Sequence, residues 1–259
     1  MPLVTGKAVC AMLLTTDSVQ MPTPEANGFV KTLNNMGYMT STLDVYSKAF
    51  AEFSPQGPGP ALDIGAAYGV ATLAALNNGA RVIANDIDAR HLEILADRAP
   101  KTDRIRLDLV PGAFPDGLEL PADSLGSILI CRVMHFFNGP TLERAAAKLH
   151  DWLAKGGKIF IVAETPYLKN FAAFTPTYEA RRAAGALWPG FIDDVMAIAP
   201  ERGASLPPQM HLLDPEVLSR VFTHAGFVVE KAATFARPDF PEDIQLDGRE
   251  SVGLIARKP

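Results

Sequence analysis

Ala61-Leu-Asp-Ile-Gly-Ala-Ala-Tyr-Gly-Val-Ala-Thr72 decides how the rest of this chain is read. Apolar residues run into Asp63, a turn of glycine and alanine follows, and a helix-forming segment begins near Gly69. That order describes a buried strand ending in a loop whose backbone can come close to a ligand, because small residues leave the approach open. Past the turn, Arg81-Val-Ile-Ala-Asn-Asp-Ile87 is a second apolar run that ends in an acid, Asp86. A small-residue loop after one strand and a carboxylate closing the next is the layout of a nucleoside site on an open sheet.

Outward from this pair, strand and helix patterns alternate. Strands are predicted near 61–65, 80–85, 104–109, 125–131, 157–163, 227–235 and 251–257, and helices near 69–78, 88–98 and 140–154. Wholly apolar runs such as Ser127-Ile-Leu-Ile130 and Lys158-Ile-Phe-Ile-Val-Ala163 suit parallel strands covered on both faces. The expected fold is α/β, a Rossmann-like doubly wound seven-stranded sheet, mostly parallel with an antiparallel last strand. Before it, residues 1 to about 40 read as irregular, broken by Pro22, Pro24 and Gly28, and a helix is expected from a cap at Ser41 or Thr42 through Tyr46, Phe50 and Phe53. Lys155-Gly-Gly157 reads as the glycine turn that closes a helix. Residues 165–212 interrupt the alternation with prolines and aromatics and one helix around 176–187; a capped helix from Asp214-Pro215 to Ala225 restores it.

Composition narrows the function classes. The chain has 259 residues, 48% of them hydrophobic and 20% charged, with a net charge of −5. It has no cluster of Lys and Arg of the kind a nucleic-acid groove requires, so no nucleic-acid partner is expected. Cys10 and Cys131 are too few for a disulfide framework or a zinc site, and no metal is expected. Met1–Leu14 carries an apolar run too short for a convincing signal peptide, and no segment approaches the roughly 20 apolar residues that span a bilayer. A reducing cytoplasmic setting without a membrane partner is the simplest expectation.

The spacing of small residues separates the candidate nucleosides. A dinucleotide loop reads G-x-G-x-x-G; counted from Gly65, the second and third positions are Ala67 and Val70, which disfavours an NAD-dependent reductase. What is present is Asp63, Gly65 and Gly69 as Asp-x-Gly-x-x-x-Gly. This resembles the first motif of the class I S-adenosylmethionine-dependent methyltransferases. Asp86 matches that family's ribose-binding acid, Ser127–Phe137 looks like its fourth strand running into a helix, and Leu153-Ala-Lys-Gly-Gly-Lys-Ile-Phe-Ile-Val162 is similar to its glycine turn and fifth strand. Gly226-Phe227 looks like the entry to its closing hairpin. Ala67 stands where the family commonly has a middle glycine, and Ala113, in Val110-Pro-Gly-Ala-Phe114, where it often has an adenine-binding Asp.

The resemblance implies S-adenosylmethionine as methyl donor, S-adenosylhomocysteine as product, and in-line methyl transfer to an acceptor, expected to be a small molecule. Cofactor-binding roles fall on Asp63, Gly65, Ala66, Ala67, Gly69, Asp86, Ile87, Ala113, Phe114 and Arg132. In particular, Asp86 would take both ribose hydroxyls, Ile87 and Phe114 would wall the adenine, and Arg132 would reach the cofactor carboxylate. His135, after strand four, is the candidate catalytic base, with a packed core histidine as the competing reading. The resemblance also divides the chain into an N-terminal segment and cover helix (1–54, with Tyr46 either on the cofactor or in the core), a methyltransferase core (55–164 and 213–259) and a helical substrate lid inserted after strand five (165–212). Tyr167, Tyr178, Arg181 and Trp188 are the candidate acceptor contacts, with Glu164 and His211 as further polar candidates; the aromatics could equally glue the lid to the sheet. A non-catalytic methyltransferase-like binding or regulatory module is the alternative function, given some footing by Ala113.

Overall fold

The computed structural model describes residues 19–200 and 206–259; Cys10 and the Met1–Leu14 stretch lie outside the described residues. A short hairpin, β1 (Val30–Lys31) and β2 (Tyr38–Met39), leads into α1 (Val45–Phe53). The sheet then builds through β3 (Ala61–Ile64), α2 (Val70–Asn77), β4 (Val82–Asp86), α3 (Ala89–Arg98), β5 (Leu107–Pro111), β6 (Leu125–Cys131), α4 (Gly139–Trp152) and β7 (Leu153–Glu164). The inserted region holds α5 (Thr175–Ala183) and a small pair, β8 (Phe191–Ile192) with β9 (Met210–His211). A helix at Pro215–His224, then β10 (Val228–Phe235) and β11 (Ser251–Arg257), complete the chain.

Among the described residues seven strands form one sheet in the order β10-β11-β7-β6-β3-β4-β5. The strands run parallel except β11, which is antiparallel to both β7 and β10. Side-chain alternation explains how both faces are buried. On β6, Ile128 and Ile130 face α4 and the Pro215–His224 helix, whereas Leu129 faces α1 and α2; on β7, Ile159 and Ile161 take the first face and Phe160 the second. Strands apolar on both sides can sit only in such a three-layer arrangement.

Three local expectations give way. The cap of α1 is Asp44, whose carboxylate accepts from Tyr46 N at 2.8 Å and Ser47 N at 3.0 Å; Thr42 instead donates to Asp239. The segment before it, read as irregular, contains the β1–β2 hairpin, whose turn uses positive φ at Asn35 and Gly37. Lys155-Gly156-Gly157 is not a helix cap: α4 ends at Trp152, and these residues form an irregularity inside β7, where the pairing with β6 jumps from Leu153 to Lys158. Gly156 N donates to Lys258 O and Lys258 N to Gly157 O, so the glycines serve the sheet edge.

Tyr46 packs into the core. Its ring lies against the bare Cα of Gly253 on β11, 5.1 Å from the Phe235 ring, and its hydroxyl has no partner among the described residues. A Cβ at position 253 would meet the ring directly. Gly253→Ala should therefore lower the unfolding free energy measured by urea denaturation by about 1–3 kcal/mol, the usual cost of overpacking. In a double-mutant cycle with Tyr46→Leu that cost should largely vanish; an additive pair would show that helix α1 is not seated on this glycine.

Candidate functional site

One cavity lies at the carboxyl ends of β3, β4, β5, β6 and β7, whose loops converge on it where the order of parallel strands reverses between β3 and β6. After β3 the chain turns sharply: Gly65, Ala67 and Gly69 have φ of 71°, 45° and 81°. The N–H groups of Gly65 and Ala66 both donate to Asn85 O at 2.9 Å, which ties the loop to the end of β4. Glycine is also required sterically, since a Cβ would strike Val133 at position 65 and Leu95 at position 69. Ala67 takes a left-handed conformation that costs an L-residue roughly 1–2 kcal/mol, the physical reason glycine is the easier residue there.

Asp86 holds that conformation. Its carboxylate, 5% exposed, accepts from Ala67 N through Oδ2 at 2.9 Å, and from Asp88 N (2.9 Å) and His91 Nδ1 (3.0 Å) through Oδ1. His91 Nε2 accepts from Leu33 N at 3.0 Å, so this imidazole is the Nδ1–H tautomer and joins the N-terminal hairpin to the carboxylate. An ionised carboxylate offers about four acceptor positions. Three are filled by protein donors, which leaves room on Oδ2 for a further one. Asp88 caps α3 through Arg90 N, as the sequence suggested.

The cavity encloses about 300 Å³. Every expected cofactor residue lines it: Asp63, Gly65, Ala66, Ala67, Asp86, Ile87, Ala113, Phe114 and Arg132, with Gly69 just behind, against Leu95. Asp63 is buried and accepts from the Thr72 hydroxyl at 2.6 Å, not from the loop N–H groups; burial pushes its carboxyl up to about 6. Ile87 is 58% exposed and Phe114 buried, forming two apolar walls. Arg132, at φ 61°, is already committed: Nε donates to Glu164 Oε1 at 2.6 Å, a terminal nitrogen to Tyr38 O at 2.8 Å, and the guanidinium lies over the rings of Phe240 and Phe29. His135 is 4% exposed and faces Phe136 edge-on; burial pushes its pKa down to about 4, which keeps it neutral.

The expected acceptor contacts are not in the cavity. Tyr167 donates to Glu179 and lies under the Arg249 guanidinium; the Tyr178 hydroxyl donates to Asp214 at 3.0 Å. Arg181 donates to Phe191 O at 2.7 Å, and Trp188 packs on Gly139, His211 and Arg220. These side chains fasten the insertion to the sheet, and His211 is buried among them. The wall facing the loop comes instead from Leu168, Asn170, Phe171 and Met210 of the insertion, Phe29 and Tyr38 of the N-terminal hairpin, and Phe240 and Ile244 from the loop before β11. No periodicity marks those residues, because three segments remote in sequence supply them. Among the described residues no helix is long and apolar enough to cross a membrane, and no group of three or more His, Cys, Asp or Glu could hold a metal ion.

Comparison with known proteins follows this geometry. The sequence model of the methyltransferase domain matches residues 61–157, from β3 to the glycines within β7. No curated protein matches the chain. Among solved structures, an S-adenosylmethionine-dependent methyltransferase from Mesorhizobium loti superimposes with a TM-score of 0.57 at 19% identity, covering 78% of this chain and 92% of its own. The glycopeptide N-methyltransferase MtfA is similar in complex with S-adenosyl-L-homocysteine (TM-score 0.54, 16% identity, 82% and 88% covered) and with S-adenosyl-L-methionine (0.53, 17%, 82% and 94%). Matched sequence and shared sheet topology agree: residues 61–157 are similar to the methyltransferase domain, and the fold is the one these S-adenosylmethionine-dependent methyltransferase structures share.

Proposed function

We propose that this protein binds S-adenosylmethionine in the cavity between the Gly65–Gly69 loop and Asp86 and transfers its methyl group to a small acceptor. The observation that carries the reading is Asp86: a buried carboxylate that shapes the loop through Ala67 N, leaves one acceptor position open, and stands beside the apolar pair Ile87 and Phe114. A flat heterocycle fits between such walls, and a ribose hydroxyl suits the open position. Asp63 suits the cationic end of the molecule. When bound, the cofactor supplies a sulfonium methyl that is already electrophilic.

The chain's own task is to align and to exclude water, which can contribute about 7–11 kcal/mol when two reactants are held in attack geometry. Arg132, locked between Glu164 and Tyr38 O, keeps the β6 loop and the hairpin together over the cavity. His135, neutral at working pH, can take a proton from an acceptor that carries one. The insertion, with the hairpin and the 236–250 loop, acts as the cover.

Titration calorimetry with S-adenosylmethionine and S-adenosylhomocysteine tests the reading directly; absence of binding at millimolar concentration for both would overturn it. Binding of both ligands without turnover on any acceptor would favour the non-catalytic module. Asp86→Ala should weaken both ligands about tenfold or more, since it removes a charge-assisted bond and the loop's anchor. His91→Phe, which removes one donor to Asp86 and leaves the carboxylate in place, should cost less, about 3–5-fold.

Ionised Asp63 favours a cationic ligand, so S-adenosylmethionine affinity should fall as pH drops through about 6, by at most tenfold per unit. Asp63→Asn should flatten that profile. His135→Ala should lower kcat and leave the Kd for S-adenosylhomocysteine within twofold, the pattern of a group that serves the acceptor.

A further inference from the structure

The one cation in the cavity lining, among the described residues, is already paired. Four carboxylates line it (Asp44, Asp63, Asp86 and Glu164), against a single guanidinium, Arg132, among the described residues. Arg132 has its charge matched by Glu164, gives a second N–H to the Tyr38 carbonyl, and lies over the rings of Phe29 and Phe240. Asp44 accepts from Tyr46 N, Ser47 N, the Ser47 hydroxyl and the Cys131 thiol, which fills its four positions. A carboxylate or phosphate on an acceptor would find no unpaired protein cation among the described lining residues, and burying a charge so is costly.

Two polar atoms remain unmatched. His135 Nδ1 and Asn170 Oδ1 are buried, without a hydrogen-bond partner among the described residues, and both residues line the cavity. An orphaned buried acceptor costs about 1–3 kcal/mol, and protein interiors seldom leave one so. In the Nε2–H tautomer His135 Nδ1 is an acceptor, and the Asn170 carbonyl oxygen is one in any state. What the site lacks is therefore hydrogen-bond donors, among walls made by Phe136, Phe171, Met210 and Phe240.

We infer that the acceptor is an uncharged, flat, largely apolar molecule that presents O–H or N–H donors to His135 and Asn170, and that anionic acceptors are rejected. The inference rests on the methyltransferase reading, but the polarity of the subsite can be measured apart from the chemistry. The arginines of the insertion do not supply the missing cation: Arg181 and Arg182 are bound to Phe191 O and Glu216 outside the cavity.

A matched pair of probes, 2-naphthol and 2-naphthoate, tests it by fluorescence titration of the full chain, with and without saturating S-adenosylhomocysteine. The naphthol should bind at least tenfold tighter than the naphthoate. His135→Ala and Asn170→Leu should each weaken the naphthol by about 3–10-fold while the affinity for S-adenosylhomocysteine stays within twofold. Met210→Lys, which adds a cation to the apolar wall, should raise naphthoate binding. Equal affinities, a preference for the naphthoate, no naphthol binding, or naphthol affinity unaltered in both variants would overturn the inference while the cofactor reading stands. Failure of S-adenosylhomocysteine to bind the unaltered protein would instead sink the cofactor reading, and this inference with it.

Discussion

A single buried carboxylate organises the site. Asp86 lies at the carboxyl end of β4, where burial makes an unmatched charge intolerable, and the chain surrounds it with donors from three places: Ala67 of the β3 loop, Asp88 at the start of α3, and His91 one turn on. The first of these bonds steadies a left-handed alanine that would otherwise relax, and the third reaches Leu33 through the far side of the imidazole. The loop, the helix start and the N-terminal hairpin are thus registered against one group. Removing the acid would disturb the cavity's shape as well as one contact to a ligand.

A second hub sits across the cavity. Arg132 and Glu164 come from adjacent strands, β6 and β7, whose carboxyl ends open on the same side of the sheet. Glu164 also faces the Ser251 hydroxyl at 3.5 Å, and the Arg237 guanidinium faces it at 3.4 Å, so the pair continues into the C-terminal hairpin. Arg132 extends the other way to Tyr38 O. Two hubs, each gripping the β1–β2 hairpin, account for a cover segment that follows the strand ends although little regular structure supports it. Phe29, Phe171 and Phe240, from the hairpin, the insertion and the 236–250 loop, then close a second apolar cluster above the sheet.

What the sequence revealed and what it hid follow from the range of the interactions. The turn at Asp63–Gly69, the acid that ends β4 and the seven-stranded, mostly parallel sheet were legible because each depends on neighbours a few residues away or on the periodicity of a buried strand. The cap at Asp44 was hidden by Ser41 and Thr42, which are equally good candidates until Thr42 is seen bonded to Asp239, almost two hundred residues on. The glycines at 156 and 157 carried a helix-stop signal, yet their partner, Lys258, lies at the other end of the chain. For the same reason the aromatics of the insertion could not be sorted by type. Tyr167 and Tyr178 differ from Phe171 only in whether a carboxylate, Glu179 or Asp214, stands within reach of a hydroxyl.

The distribution of charge gives the cavity a direction. Asp63 and Asp86 gather at the end formed by β3 and β4, where one has no cation beside it and the other retains an open acceptor position. At the end formed by β6, β7 and the cover, acid and base cancel in the Arg132–Glu164 pair, and what remains is aromatic surface with two lone acceptors. A low-polarity interior amplifies this contrast, since charges there are poorly screened. Under the function proposed above, a cationic methyl donor would be drawn to one end. At the other, a partner gains nothing from carrying charge and much from shedding water. The reaction suited to such a gradient consumes a positive charge where two ligands meet: as a sulfonium becomes a neutral thioether, the attraction that held the donor weakens in the product. Asp63 serves that cycle better with Thr72 as its partner than it would in an ion pair, because a lysine in its place would have already spent the charge.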